Sequence, residues 1–312
     1  MSFEAWKGPR ALLDAPETAK EFDLGSGFVL EVFHGTTRVF DKFDPSLSWC
    51  EGQFGSAIYL TTSHYDAQIN YTDSGPDLKQ RIEQKAERMV WDIQEDPNSF
   101  FAPGTNDDPS YDDMLELAFE LAEKEFKGDT PNVLELYVRS DDPFLLNGES
   151  VTVTKLPGVE DCDFDVDLDP DDPGYDDAWA EAQDVMHEER FEFLRACFEE
   201  AAEKLGIETP DVPFELVSYE YDGTTNGLET LFKDKFLELE HPETGELLNH
   251  AFFAAFVQAL GYDSIVLLNA NERFSTMNME YGTHHIHIFE ANGQIKKHDA
   301  EHFDETSPIL SN

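Results

Sequence analysis

The sequence predicts an α+β fold with a split, antiparallel β core and a large helical insertion. Three observations predict it. Runs rich in β-formers lie near residues 27–33 and 57–61, and again at 264–268 and 284–289. The middle of the chain instead carries apolar residues at spacings of three and four. No internal repeat divides the chain, and 25 Phe with 40% hydrophobic residues supply a sizeable core. We therefore read residues 1–312 as a single domain. The core comes from about 26–75 and 246–300, and an acidic helical insertion fills about 76–245.

Taken in order, residues 1–25 read as a helical or irregular lead-in. Gly27 to Phe33 reads as a strand with His34 at its end, and Phe40 and Phe43 anchor the loop that follows. Ala57 to Thr61 is a second strand. Ser63 opens a short helix, because Ser caps N-termini well and Asp66 stands three residues on. Residues 78–95 and 111–127 are helices; in the second, Met114, Leu117, Ala118 and Leu121 form the apolar face. Pro97 to Gly104 is the loop between them. Asn132 to Val138 is a strand, ended by Asp142-Pro143. Asp161 to Asp169 alternates acidic and apolar residues, the pattern of an edge strand with one wet face. A calcium loop fails there, since Leu168 occupies the sixth position from Asp163 and Gly174 the twelfth. Residues 176–205 form a long charged helix ended by Gly206. Asn249 to Leu260 is an apolar helix ended by Gly261. Ser264 to Leu268 is a buried strand, His284 to Phe289 the last strand, and Gln294-Ile295-Lys296 follow a Gly293 turn.

Charge bounds the partners. With 21 basic and 67 acidic residues the net charge is −46, which repels phosphate backbones and anionic membranes. Nucleic-acid binding is disfavoured. High-salt adaptation or simple solubilisation accounts for the charge better than mimicry of a nucleic acid, because the acids are spread along the whole chain. No apolar run reaches the ~20 residues of a membrane span, and the N-terminus lacks a secretory pattern. Cys50, Cys162 and Cys197 show no Cys-x-x-Cys spacing and read as reduced thiols. A soluble, cytoplasmic protein is expected.

The most specific signal is Phe33-His34-Gly35-Thr36, followed by Gly55-Ser56-Ala57-Ile58-Tyr59-Leu60-Thr61-Thr62-Ser63. A third piece runs from Gly261 to Val266 and from Thr283 to Lys296. In this order the pieces resemble ADP-ribosyltransferases of the His-Tyr-Glu branch, the diphtheria-toxin and poly(ADP-ribose) polymerase kind, and their phage-associated relatives. The resemblance covers about a third of the chain. It implies NAD as substrate. His34 would hold the adenosine-side ribose hydroxyl, the backbone of Gly35 the nicotinamide amide, and Thr36 would support that loop. Tyr59 would stack on the nicotinamide and Tyr71 on its other face, with Ser63 in the same cofactor-binding set. Tyr71 lies 12 residues after Tyr59, one more than the family spacing.

The third piece departs from the family. His285 stands where the resemblance places the catalytic Glu, with Glu280, His284, His287 and Glu290 nearby. A neutral His can accept the ribose hydroxyl hydrogen bond, whereas a protonated one opposes an oxocarbenium-like cation. Polymer elongation is therefore in doubt. Mono-ADP-ribosyl transfer to a macromolecule, with His285, His34 and Tyr59 as the catalytic set, is the leading expectation. NAD hydrolysis and an inactive acidic interaction protein on the same scaffold are the alternatives. The acidic surface favours a protein acceptor with a basic surface. A zinc site on His285, His287 and His298 lacks supporting spacing, so no metal is expected.

Overall fold

The computed structural model describes residues 19–21, 28–37, 39–44, 53–55, 57–72, 76–101, 109–126, 132–140, 142–147, 153–157, 174–218, 223–274, 278–290, 294–297 and 309–310. Among them are eight strands: β1 (Ala19–Glu21), β2 (Phe28–Thr36), β3 (Ile58–Thr61), β4 (Asn132–Val138), β5 (Pro143–Leu146), β6 (Ser264–Leu267), β7 (His285–Ile288) and β8 (Ile295–Lys297). The helices are α1 (His64–Tyr71), α2 (Pro76–Glu95), α3 (Pro97–Phe100), α4 (Tyr111–Phe126), α5 (Tyr175–Leu205), α6 (Phe214–Val217), α7 (Thr225–Lys235), α8 (Asn249–Ala259) and α9 (Ala270–Arg273). The fold is α+β.

One sheet runs in the order β5-β6-β7-β3-β2-β4-β8, and β1 pairs β2 beside this path. Two expectations are corrected here. The sheet is mixed, because β5 and β6 pair in parallel while the other pairs are antiparallel. A parallel pair needs a long crossover, and the chain between Leu146 and Ser264 supplies one with α5 to α8. The sheet also takes β4 and β5 from inside the span 76–245, so that span is not a single helical insertion. β4 pairs with β2 over seven residues, Leu30 to Thr36 against Val138 to Asn132. Two smaller corrections follow: β1 falls in the expected lead-in, and β8 follows β7, so β7 is not the last strand. The loop from Pro97 contains the short helix α3. Residues 161–169 lie outside the described residues.

Alternation along the strands separates two buried faces. On the first, Leu30, Val32, Ile58, Leu60, Leu136, Val138, Val266, Ile286 and Ile288 pack with Phe43 and Leu310. On the second, Phe144, Leu146, Ile265 and Leu267 meet α5, α7 and α8. The all-apolar face of α8 explains that choice: Phe252 and Phe256 interlock with Phe198, Phe232 and Phe236. Helices α2 and α4 form their own small core of Ile82, Ala86, Val90, Ile93, Met114, Ala118 and Ala122, tied to the end of β2 where the Thr37 hydroxyl donates to the Phe126 carbonyl at 2.7 Å.

Candidate functional site

On the second face, two rows of side chains cross the sheet. One contains Phe33, Thr61, His285 and Leu267; the other contains Tyr59, His287 and Ile265. The helical core covers the β5–β6 end of this face, and α1 covers β2. The histidines of β7 stand in the seam between them.

Helix α1 lies directly on Gly35. A Cβ there would sit 2.4 Å from the Ala67 carbonyl oxygen and 2.6 Å from Tyr71 Cβ, so only glycine permits this approach. The helix starts where the sequence predicts: Ser63 Oγ accepts the Asp66 N–H at 3.1 Å. Ser63 Oγ in turn donates to Glu280 Oε2 at 2.8 Å.

The Asp66 side chain does not return to the helix start. It turns into the seam, is 0% exposed, and accepts from His285 Nε2 at 2.9 Å and from Asn70 Nδ2 at 2.6 Å. Burial pushes this carboxyl up, but hydrogen bonds from His285, Thr61 and Asn70 outweigh that effect and hold it below the ordinary Asp value. Asp66 is thus a carboxylate at neutral pH and can only accept, so Nε2 of His285 carries a proton. Nδ1 of His285 has no hydrogen-bond partner among the described residues. The ring stacks on Phe274, with centroids 5.7 Å apart, and meets the edge of Tyr71 at 6.0 Å.

His287 lies beside it, 1% exposed, between the rings of Phe54 (4.5 Å) and Tyr59 (4.7 Å). Neither ring nitrogen has a partner among the described residues. Burial pushes its pKa well down, and the charge of Arg273 adds to the effect, so the ring is neutral. His284 faces away; its Nδ1 accepts the Asn269 N–H at 2.9 Å, and burial lowers its pKa to about 4. Among the described residues no three His, Cys, Asp or Glu side chains converge as metal ligands; His298 lies outside them.

His34 and Thr36 belong to the opposite face by strand alternation. Strands β2 and β3 share the single pair Phe33–Thr61. Just beyond it the His34 side chain spans the gap: Nδ1–H donates to the Tyr59 carbonyl at 2.8 Å. Phe43 and Phe40 meet the imidazole edge-on at 5.0 and 6.1 Å. Burial lowers the His34 pKa, and the charge of Arg81 adds to the effect. The ring is neutral, and Nε2 keeps its lone pair with no hydrogen-bond partner among the described residues. The Tyr59 hydroxyl accepts from Phe54 N–H at 2.9 Å and donates to the Gly55 carbonyl at 3.1 Å, which fixes the ring against His287.

The structure thus gathers Gly35, Tyr59, Ser63, Tyr71 and His285 on one face around α1. His34 joins them through the Tyr59 backbone, and Thr36 lies on the far side with it. Sequence reasoning missed Asp66 as more than a cap neighbour, and it missed Asn70 and Phe274. One signal was present: Asp66 and Asn70 are four apart and flank Ala67, which puts polar groups on the inward face of a short helix. Comparison with protein-family models, curated proteins and solved structures found no match.

Proposed function

We propose that this chain is an NAD-consuming mono-ADP-ribosyltransferase whose reaction centre is His285 backed by Asp66. The observation that carries the reading is the buried His285–Asp66 hydrogen bond, made through Nε2, with the Tyr71 ring edge-on to the imidazole. The bond between nicotinamide and ribose C1′ breaks with both electrons leaving on nicotinamide. The sugar is left as an oxocarbenium-like cation. Asp66 supplies the negative charge that the site needs, through His285, in a buried setting where it is little screened. His285 Nδ1 accepts from the nicotinamide-side ribose hydroxyl or takes the proton of the attacking nucleophile, while the carboxylate orients the ring. His34, on the opposite face, positions Tyr59 by donating to its backbone carbonyl at 2.8 Å. Tyr59 and Tyr71 supply the aromatic walls.

A second reading, NAD glycohydrolase, is favoured by the same pair, because an oriented His–carboxylate arrangement activates water as readily as an acceptor side chain. A net charge of −46 favours a basic protein as acceptor in the transferase reading.

The test is nicotinamide release from NAD labelled in the adenosine half, with wild type, His34→Ala and His285→Ala. Release by wild type that falls at least a hundredfold in His285→Ala is expected. Label retained on protein selects transferase, and free ADP-ribose selects hydrolase. No release by the wild-type protein at low or high salt overturns both.

A further inference from the structure

Two aromatic walls flank His285 and His287, and neither wall stands on a long element. Phe274, stacked on His285, directly follows α9, which is four residues long. A single helical turn has no stability of its own, so contacts from outside must hold it. Phe54, against His287, lies in the turn 53–55 ahead of β3.

One side chain ties both walls down. Arg273, the last residue of α9 and the chain neighbour of Phe274, donates from Nη1 to Glu229 Oε2 at 2.9 Å and from Nη2 to Glu229 Oε1 at 2.5 Å. The amide oxygen of Gln53, the chain neighbour of Phe54, turns to face the same guanidinium and accepts from Nε and Nη2 at 3.2 Å. Gln53 is held from its other side as well, where His250 Nδ1–H donates to its backbone carbonyl at 2.7 Å. Glu229 belongs to α7. Its side chain is 6% exposed and also accepts from Lys233 Nζ at 2.8 Å. Burial pushes this carboxyl up, but hydrogen bonds from Arg273 and Lys233 outweigh that effect and keep it ionised. A two-point guanidinium–carboxylate pair fixes angle as well as distance, which a lysine cannot do. The Arg273–Glu229 pair is therefore a clamp that joins α9, α7 and the turn 53–55.

We infer that Arg273, set in place by Glu229, is a positioning residue for the histidine pair: through Phe274 and through Gln53–Phe54 it fixes the two walls that decide where His285 and His287 stand. This rests on the NAD reading only for treating His285 as the reaction centre. It also gives the helices between β5 and β6 a part in the site, because α7 reaches it through one carboxylate. A site held to the right geometry by supporting side chains loses rate when that support slackens, even where nothing that touches the ligand has changed.

The experiment is NMR of the imidazole nitrogens in the full chain, with kcat and KM for nicotinamide release from NAD, for wild type, Arg273→Lys, Glu229→Gln and Lys235→Gln. Lys235 pairs with Glu215 at an exposed position of α7, so Lys235→Gln breaks an ion pair on the same helix outside the clamp. His241, whose Nδ1 accepts from N–H groups of its own turn, reports general loosening. Arg273→Lys keeps the charge and loses the fork. We expect it to move the His285 and His287 signals and to leave His241 in place, with Glu229→Gln acting in the same direction and Lys235→Gln moving none. In Arg273→Lys kcat should fall about tenfold or more while KM stays within about threefold of wild type. His285 and His287 signals at their wild-type positions in Arg273→Lys, or a His241 signal that moves with them, overturn the inference. Failure of both Arg273→Lys and Glu229→Gln to fold also overturns it, since the pair would then serve the fold as a whole. The two readings fail separately. Ring signals that depend on Arg273 in a protein that releases no nicotinamide keep the clamp and remove NAD cleavage; NAD cleavage at wild-type kcat in Arg273→Lys does the reverse.

Discussion

Replacing Gly35 with Ala puts a single methyl group between a strand and the helix that carries half the candidate site. The new Cβ would stand 2.4 Å from the Ala67 carbonyl oxygen and 2.6 Å from Tyr71 Cβ, where ordinary contact starts at 3.4 Å. One of those atoms is backbone, so no rotamer change relieves the clash. Helix α1 must lift by about 1 Å, or β2 must bend away by as much. Overpacking of this kind costs about 1–3 kcal/mol. Gly→Ala within a strand would otherwise gain about 0.5–1 kcal/mol, so the net loss should be about 1–2 kcal/mol. At about 2–4 °C per kcal/mol, the melting temperature falls by roughly 2–8 °C. The site registers the shift too. A 1 Å lift carries the Asp66–His285 contact from 2.9 Å to beyond about 3.5 Å, outside hydrogen-bond range. Thermal melts, with NMR of the His285 ring nitrogens, read both effects. A Gly35→Ala protein that melts with wild type and keeps the His285 ring signals in place would refute the seating of α1 on Gly35.

Two further outcomes follow from the ionisable groups. Asp66→Asn removes the buried carboxylate that accepts from His285 and Asn70 and should cost about 2–4 kcal/mol in urea unfolding at pH 7. Because the folded-state pKa of Asp66 is lowered, its contribution is present above the unfolded value of 3.8 and lost only as pH falls through the folded value. The deficit should therefore be the same at pH 7 and pH 5, and a deficit that vanishes by pH 5 counts against the assignment. His284 behaves differently: its pKa falls from 6.5 unfolded to about 4 folded, so the unfolded chain takes up the proton first. That stability is complete above about pH 6.5 and declines as pH drops towards 4, by an amount on the order of 3 kcal/mol. His284→Gln, which keeps an acceptor for the Asn269 N–H, should flatten the fall in urea midpoint between pH 7 and pH 5; an unchanged slope rejects this.

The helices were legible wherever their period was strong. Helices α2, α4, α5 and α8 lie within two residues of their expected ends at each terminus, because the apolar stripe and the cap residues agree. The strand expected over His284 to Phe289 is present as β7, and alternation along it sets His285 and His287 on one face. Strand β4 was legible as a strand but not as a central one, since its seat between β2 and β8 depends on partners about a hundred and about 160 positions away. The parallel pairing of β5 with β6 was hidden for the same reason. Three-residue β1 carries too little pattern to be seen. Asp66 was hidden in a subtler way, because its backbone fulfils the local capping rule while its side chain answers to a histidine 219 residues later.

The wiring of the sheet sets an order of events on the ribosome. Strands β3 and β4 each pair with β2 on one edge, and their other edges wait for β7 and β8. Those two strands emerge roughly 150–230 residues later, an interval of roughly 10–45 s at ~5–20 residues per second. In that interval only local units such as the α2–α4 hairpin can complete themselves, and two strand edges stand ready to pair with whatever is near. A nascent chain this acidic repels its own copies on a polysome, so the same surface charge that shapes its choice of partners also guards it while it is unfinished.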